Sequence, residues 1–191
     1  MAKDESSVYQ LKVTLQGIKP DIWRRLLVDS SASLAKLHDV LQCALGWGDS
    51  HLHELEAGGL SYSVPTPEFP TECIDTRKVQ LRRVLPRVRN SMTYLYDFGD
   101  SWRHKIVLEK IFALPVPLQM PSCVAGARAT PPEDCGGVYG YLNLLKVIAN
   151  PEDDEHESMI EWLGDDFDPE QFDLEIINRL LMPRVSRRKK P

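Results

Sequence analysis

Three histidines and a set of carboxylates are the residues best suited to chemistry. His51 and His53 lie two positions apart in His51-Leu52-His53-Glu54-Leu55-Glu56, where alternation predicts a strand. Residues i and i+2 of a strand share a face, so both imidazoles would point one way and could chelate a divalent ion. His104 follows the turn Gly99-Asp100-Ser101 in another expected strand and is the third metal candidate. Cys123 and Cys135 flank a proline-rich segment, from which a thiolate could complete a tetrahedral site. The spacing matches no standard zinc motif. The other reading of these histidines is packing and hydrogen bonding beside the sheet.

Asp97 and Asp100 sit around the same turn as His104, and a carboxylate near an imidazole is a starting point for general acid–base catalysis. The structural reading has the carboxylates accepting turn amides, with Trp102 in the core. Asp97-Phe98-Gly99 mimics a kinase motif, but no Gly-rich phosphate loop or His-Arg-Asp accompanies it. Two Gly-Asp-Ser triplets, at 48–50 and 99–101, with Asp153 and His156 mimic an esterase. The βα alternation that would bring such a serine and histidine together is missing. Pro131 to Gly137 (PPEDCGG) is stiffened by prolines, and its glycines permit close backbone approach. Glu133, Asp134 and Cys135 make this loop a ligand or partner surface, or else a rigid cover that launches the next helix.

These residues need elements to position them. Tyr9, Leu11, Val13 and Leu15 alternate, which predicts a half-buried strand, and Ile22 to Val28 is its antiparallel return. Ser33 is a good N-cap for a helix carrying Leu34, Leu37, Leu41 and Leu45, with Gly46 as its stop. Residues 51–56 and 60–64 form a hairpin around Gly58-Gly59. Residues 65–76 read as a loop and 79–85 as a short basic helix. Met92–Phe98 and Trp102–Phe112 are strands, and residues 113–138, with five prolines, are a long irregular segment. Helices follow over 141–148 and 159–163, and a third begins at Asp168-Pro169. The order predicts an α+β fold: a mostly antiparallel sheet with helices packed on it, the C-terminal third helical. The expected organisation is a flexible N-terminus (1–7), one α+β domain (8–182) and a basic flexible tail (183–191).

The chain has 191 residues, 42% hydrophobic and 27% charged, which excludes a disordered chain, a collagen and a simple coiled coil. No apolar run is long enough to span a membrane, and MAKDESSVYQ has no secretory h-region. Four cysteines without CxxC spacing then predict reduced thiols and a cytoplasmic location. The net charge of −5 is segregated: residues 152–175 hold twelve acids and no Lys or Arg, and residues 77–89 hold six bases and no acid. Without interleaved aromatics the basic run lacks a base-stacking pattern. A protein partner or small ligand is therefore expected in preference to nucleic acid.

Five ordered stretches carry a resemblance: LQGIKPDIWRR (15–25), LGWGDSHLHE (45–54), YDFGDSWRH (96–104), PPEDCGG with Tyr139-Gly140-Tyr141, and EWLG (161–164) with Phe167-Asp168-Pro169. Together they resemble the Ri-plasmid ORF-three-like family across residues 8–181, with Leu55 where the family more often has Phe. The resemblance implies an α+β domain and an association with plasmids or mobile elements. Some members are labelled insertion-element resolvases of the TnpR type. A serine recombinase needs an N-terminal nucleophilic serine beside arginines, whereas the only Arg-Val-Ser here is Arg184 to Ser186 in the tail.

Two functions follow as expectations. The first is a non-enzymatic binding module that meets its ligand around His51, His53, Asp97, Asp100, Trp102, His104, Glu133, Asp134 and Cys135. The second is a metal-dependent hydrolase or nuclease with a divalent ion on His51, His53 and His104, and Asp97 or Asp100 as base.

Overall fold

The computed structural model describes residues 7–65, 73–113, 118–164 and 167–182. The expected flexible residues 1–6, part of the loop at 65–76 and the basic tail at 183–191 lie outside the described residues.

Strands β1 (Ser7–Leu15), β2 (Trp23–Asp29), β3 (His53–Ala57), β4 (Leu60–Ser63), β5 (Ile74–Asp75), β6 (Ser91–Tyr96), β7 (Trp102–Ala113) and β8 (Ser122–Ala127) form one eight-stranded sheet. Its order is β5-β4-β3-β6-β7-β1-β2-β8, antiparallel except for the short β4–β5 edge. Helices α1 (Leu34–Leu45), α2 (Leu81–Val84), α3 (Gly137–Ile148), α4 (His156–Leu163) and α5 (Leu174–Leu181) complete it. The fold is α+β with a mostly antiparallel sheet, as the patterning predicted. No helix among the described residues is long and apolar enough to cross a membrane.

Period-two alternation sets which side chains meet. Leu11, Val13 and Leu15 of β1 and Ile106 and Leu108 of β7 are buried on one face, while Lys12 and Lys105 turn outward. The inward row continues through aromatic residues: Tyr94 pairs with His104 and Tyr96 with Trp102 across β6 and β7, and His53 pairs with Tyr96 across β3. Helix α1 covers this row. Its Ser33 cap accepts from the Lys36 amide, and Gly46 ends it in the left-handed region at φ 74°. Its buried stripe holds Leu34, Leu37 and Leu41 and also the polar His38 and Gln42.

Three expectations are corrected. Within 113–138, expected to be irregular, residues 122–127 form β8 on the edge of β2. The small side chains of Ala125, Gly126 and Ala127 allow it: a Cβ at Gly126 would lie 2.3 Å from the Phe172 ring. Asn178 of α5 then satisfies the edge, accepting from the Cys123 amide at 2.8 Å and donating to its carbonyl at 2.9 Å.

The last helix does not start at Asp168. Asp168 caps only a turn at Glu170, and Asp173 caps α5 through the Ile176 amide. Residues 168–172 are held instead as a strap across the end of β8. The Pro169 carbonyl accepts from Ala129, and Glu170 pairs with Arg128 at 2.8 Å. Tertiary contacts outcompete the local helix signal there. The third correction concerns β3, which begins at His53, so His51 lies in a bend before the strand.

Candidate functional site

Three segments far apart in sequence meet at one end of the sheet: 47–53 after α1, the turn 97–101 between β6 and β7, and the loop 128–137 before α3. Arg24 anchors the start of that loop. It is buried, and it donates to the carbonyls of Ala44 and Ala127 and to the Thr130 hydroxyl. Burial pulls its pKa down to about 10, still charged at neutral pH. Its neighbour Arg25 pairs with Glu109 at 2.6 Å on the open face of the sheet.

The loop is fastened at four points. Trp47 Nε1 donates to the Pro131 carbonyl at 3.0 Å. Glu133 Oε1 accepts from the Tyr96 hydroxyl at 2.6 Å, and its Oε2 accepts from the Gly48 amide at 2.9 Å. Asp100 Oδ2 accepts from the Gly136 amide at 3.1 Å. Gly137, at φ 66°, lies so close to the 97–101 turn that a Cβ would come within 2.3 Å of the Asp100 carbonyl oxygen. Glu133 and Asp100, expected to face a ligand, therefore hold the loop in place. Glu133→Ala is expected to cost about 1–3 kcal/mol, because it leaves the buried Tyr96 hydroxyl without its acceptor and frees the Gly48 amide from the loop. Urea denaturation of the two proteins measures this, and equal midpoints would remove Glu133 as a clamp.

The expected trio His51, His53 and His104 does not converge; each imidazole has a different setting. His104 is fully buried under Trp47 and Tyr94, with ring centroids 5.4 and 5.8 Å away, and neither ring nitrogen has a hydrogen-bond partner among the described residues. Burial pulls its pKa down to about 4, opposed in part by nearby backbone groups of Tyr94 and Trp102. Trp102 is likewise buried core. Neither can meet a ligand from solvent.

His53 stacks face to face on His38, with centroids 3.5 Å apart and planes at 10°. Burial first, and the neighbouring His38 second, bring its pKa down to about 4. His38 is engaged at both nitrogens: Nδ1 lies 2.9 Å from the Tyr94 hydroxyl and Nε2 lies 2.8 Å from Asp49 Oδ1. Gln42 donates to the same hydroxyl and accepts from the Asp49 amide. This Asp49–His38–Tyr94–Gln42 network is missing from the sequence reading. Its signal was present: His38 stands four residues after Leu34 and three before Leu41, on the apolar stripe of α1.

His51 remains near solvent. Its ring meets the edge of Tyr96 at 5.8 Å between centroids. Nδ1 lies 3.8 Å from Asp97 Oδ2, and Nε2 lies 3.2 Å from Asp134 Oδ1 without hydrogen-bond alignment. Asp97 and Asp134 both adopt left-handed backbone, at φ 55° and 59°, a conformation that Asp tolerates better than most residues. The Gly99 amide binds Asp97 Oδ1 and leaves Oδ2 facing His51. Cys135 is a thiol, not a nucleophilic thiolate. Burial, then the charges of Asp100 and Asp134, push its pKa up to about 12.

Two clefts border the loop. One, of about 270 Å³, lies between Asp134, Cys135 and Asn143 on one side and Ser158, Met159 and Trp162 on the other. The second, of about 310 Å³, runs between Trp47, Pro132 and Glu133 and the side chains of Trp162 and Phe167. Trp162, half exposed, lines both. It stands on α4, a helix with no buried residue.

The match to the plasmid pRiA4b ORF-3-like family extends over residues 7–176. The chain belongs to this family. It is also similar to the uncharacterised protein y4hQ of Sinorhizobium fredii (strain NBRC 101917 / NGR234), with 36% identity over 176 residues, 91% of this chain and 90% of that one. Among solved structures it is similar to the protein of unknown function MM3350 from Methanosarcina mazei Go1. The TM-score is 0.80 at 38% identity, covering 90% of this chain and 97% of the other. The family resemblance read from the five motifs is thereby shown. The PPEDCGG, YDFGDSWRH and GWGDSHLHE stretches that carried it are the three segments joined at this end of the sheet.

Proposed function

We propose that the protein is a non-enzymatic binding module whose recognition surface is the acidic end of the sheet, and that its partner there is cationic. The observation that carries this reading is the use made of the polar groups. Glu133, Asp100 and Trp47 are spent on holding three segments rigidly together, while Asp49 and Asp134 project outward with side chains 59% and 73% exposed. Rigidly held segments that present exposed carboxylates, with only histidines as ion-pair partners among the described residues, make a pre-organised recognition surface. Cys135 is held as a thiol, His104 is sealed in the core, and the Tyr94 hydroxyl beside His38 is buried away from any substrate. The carboxylates repel phosphate, so a basic protein segment or small cation fits this end better than nucleic acid. An association with plasmid-borne or mobile elements is part of this proposal and rests on the family's description. A metallohydrolase built on His51, His53 and His104 lacks support, because His104 is sealed in the core and His53 is stacked on His38.

Fluorescence anisotropy with a labelled Arg/Lys-rich peptide, in buffer containing chelator, tests the reading. Saturable binding is expected that weakens with salt and falls at least about tenfold in Asp134→Lys. Preference for single-stranded DNA of equal length, or indifference to Asp134→Lys, would overturn it.

A further inference from the structure

We propose that His51, Asp97 and Asp134 form a site for one divalent first-row transition-metal ion. This deepens the proposed function by naming one cationic ligand of the acidic end, and it rests on that reading.

One imidazole nitrogen and one oxygen from each carboxylate lie within 4.8 Å of one another. Donors bound at about 2.0–2.2 Å around a tetrahedral ion stand about 3.5 Å apart. Closing the set therefore takes a contraction of about 1 Å, which the exposed Asp134 side chain can supply by rotation. The other two ligands are already held. The Gly99 amide fixes Asp97 through the oxygen that does not face His51, and Tyr96 packs its ring against the imidazole. Support of this kind, one atom behind each donor, is what orients ligands in metal sites.

His51 Nε2 is the independent sign. The side chain is 27% exposed, but this nitrogen is shielded from water, it has no hydrogen-bond partner among the described residues, and the carboxylate 3.2 Å away is not aligned to accept from it. Nδ1 lies 3.8 Å from Asp97 and Nε2 lies 3.2 Å from Asp134, so a neutral imidazole, with one N–H, leaves at least one carboxylate without a donor, and a cation held by one ring nitrogen and both carboxylates would balance their charge. Among the described residues, no Lys or Arg pairs with Asp97 or Asp134, whose ion-pair contacts come from His51 alone. The site gathers one nitrogen and two carboxylate oxygens, a set suited to Zn²⁺, Mn²⁺ or Fe²⁺. Three protein donors leave a further position open beside the cleft that Asp134 lines.

The donor atoms of His38, Asp49 and His53 lie equally close together, but their lone pairs do not converge. Each imidazole lone pair lies in its own ring plane. Planes 10° from parallel with centroids 3.5 Å apart share no point at bonding distance from both nitrogens. His38 is in addition committed at both nitrogens.

Calorimetric titration of Zn²⁺ into chelator-stripped, reduced full-length protein tests the site. One equivalent is expected to bind the parent chain. His51→Ala and Asp134→Asn should each weaken it at least about tenfold, and His53→Ala should leave it unchanged within about twofold. Asp134 is exposed, so its Asn variant keeps the fold, and circular dichroism checks this for His51→Ala. No stoichiometric binding, binding indifferent to both His51→Ala and Asp134→Asn, or binding lost in His53→Ala would each overturn the site. Peptide binding in chelator alongside absent Zn²⁺ binding would defeat this inference alone. Loss of both would defeat the proposed function as well.

Discussion

Gly140→Ala is expected to cost at least about 3 kcal/mol of folding stability, at the upper end of overpacking penalties. Gly140 belongs to α3, where alanine ordinarily stabilises by about 1 kcal/mol. Here the sign reverses. A Cβ would stand 1.8 Å from the Cys135 carbonyl oxygen and 2.8 Å from its carbon, contacts with backbone that no rotamer change relieves. The loop 131–136 folds back directly onto the first turn of its own helix, and Gly140 is where they touch. Asn143→Ala, on the same helix at an exposed position, is the control and should stay within about 0.5 kcal/mol. Urea denaturation compares the two. A Gly140→Ala midpoint equal to that of the parent would mean the loop does not lie on α3 as described. Since that loop carries Asp134, the variant should also lose affinity for the basic peptide.

Acid is expected to destabilise the fold between pH 6.5 and 4, before most carboxylates titrate. His53 and His104 have folded pKa values of about 4, against 6.5 in an unfolded chain. In that window the unfolded chain binds the extra protons, so stability rises with pH. It is complete above pH 6.5, falls as pH drops through the window, and levels off below about 4. The shift corresponds to about 3 kcal/mol for each residue. Burial is the main cause at both sites, and at His53 the stacked His38 ring adds a second. Asp75, held near 2 by Arg77, and Glu109, lowered by Arg25, lose their contributions only at more acid pH, so they do not obscure the slope. Denaturation free energies at pH 7.5, 5.5 and 4.5 should fall steeply for the parent and less steeply for His104→Phe. A parent whose stability is flat over this range would place both imidazoles in contact with water.

Much of the scaffold was legible because it is written in local periodicity. Alternation at Tyr9, Leu11, Val13 and Leu15 marks β1 whatever surrounds it, since burying one sheet face demands it. Ser33 and Gly46 bracket α1 through backbone groups that any helix must satisfy. The elements that were missed lack a local signal. Strand β8 has small residues and only partial alternation, and it exists because β2 offers an edge and Asn178 closes the other side. The strap at 168–172 has a good helix start at Asp168-Pro169, yet it makes a single turn that Arg128 and the Ala129 amide tie to the end of β8.

The chemistry divides in the same way. The sequence by itself determined the family, the mostly antiparallel α+β sheet and the three segments that matter, because these depend on residue type and short-range order. Only the tertiary structure decided what their side chains do. Two histidines two residues apart were separated when β3 began at His53: one ring stacked on His38, and the other stayed between Asp97 and Asp134. Glu133 and Asp100 turned from ligand candidates into clamps because amides from segments 85 and 36 residues away needed acceptors. Burial, pairing and convergence are properties of distances between residues remote in the chain, and no spacing along the chain encodes them.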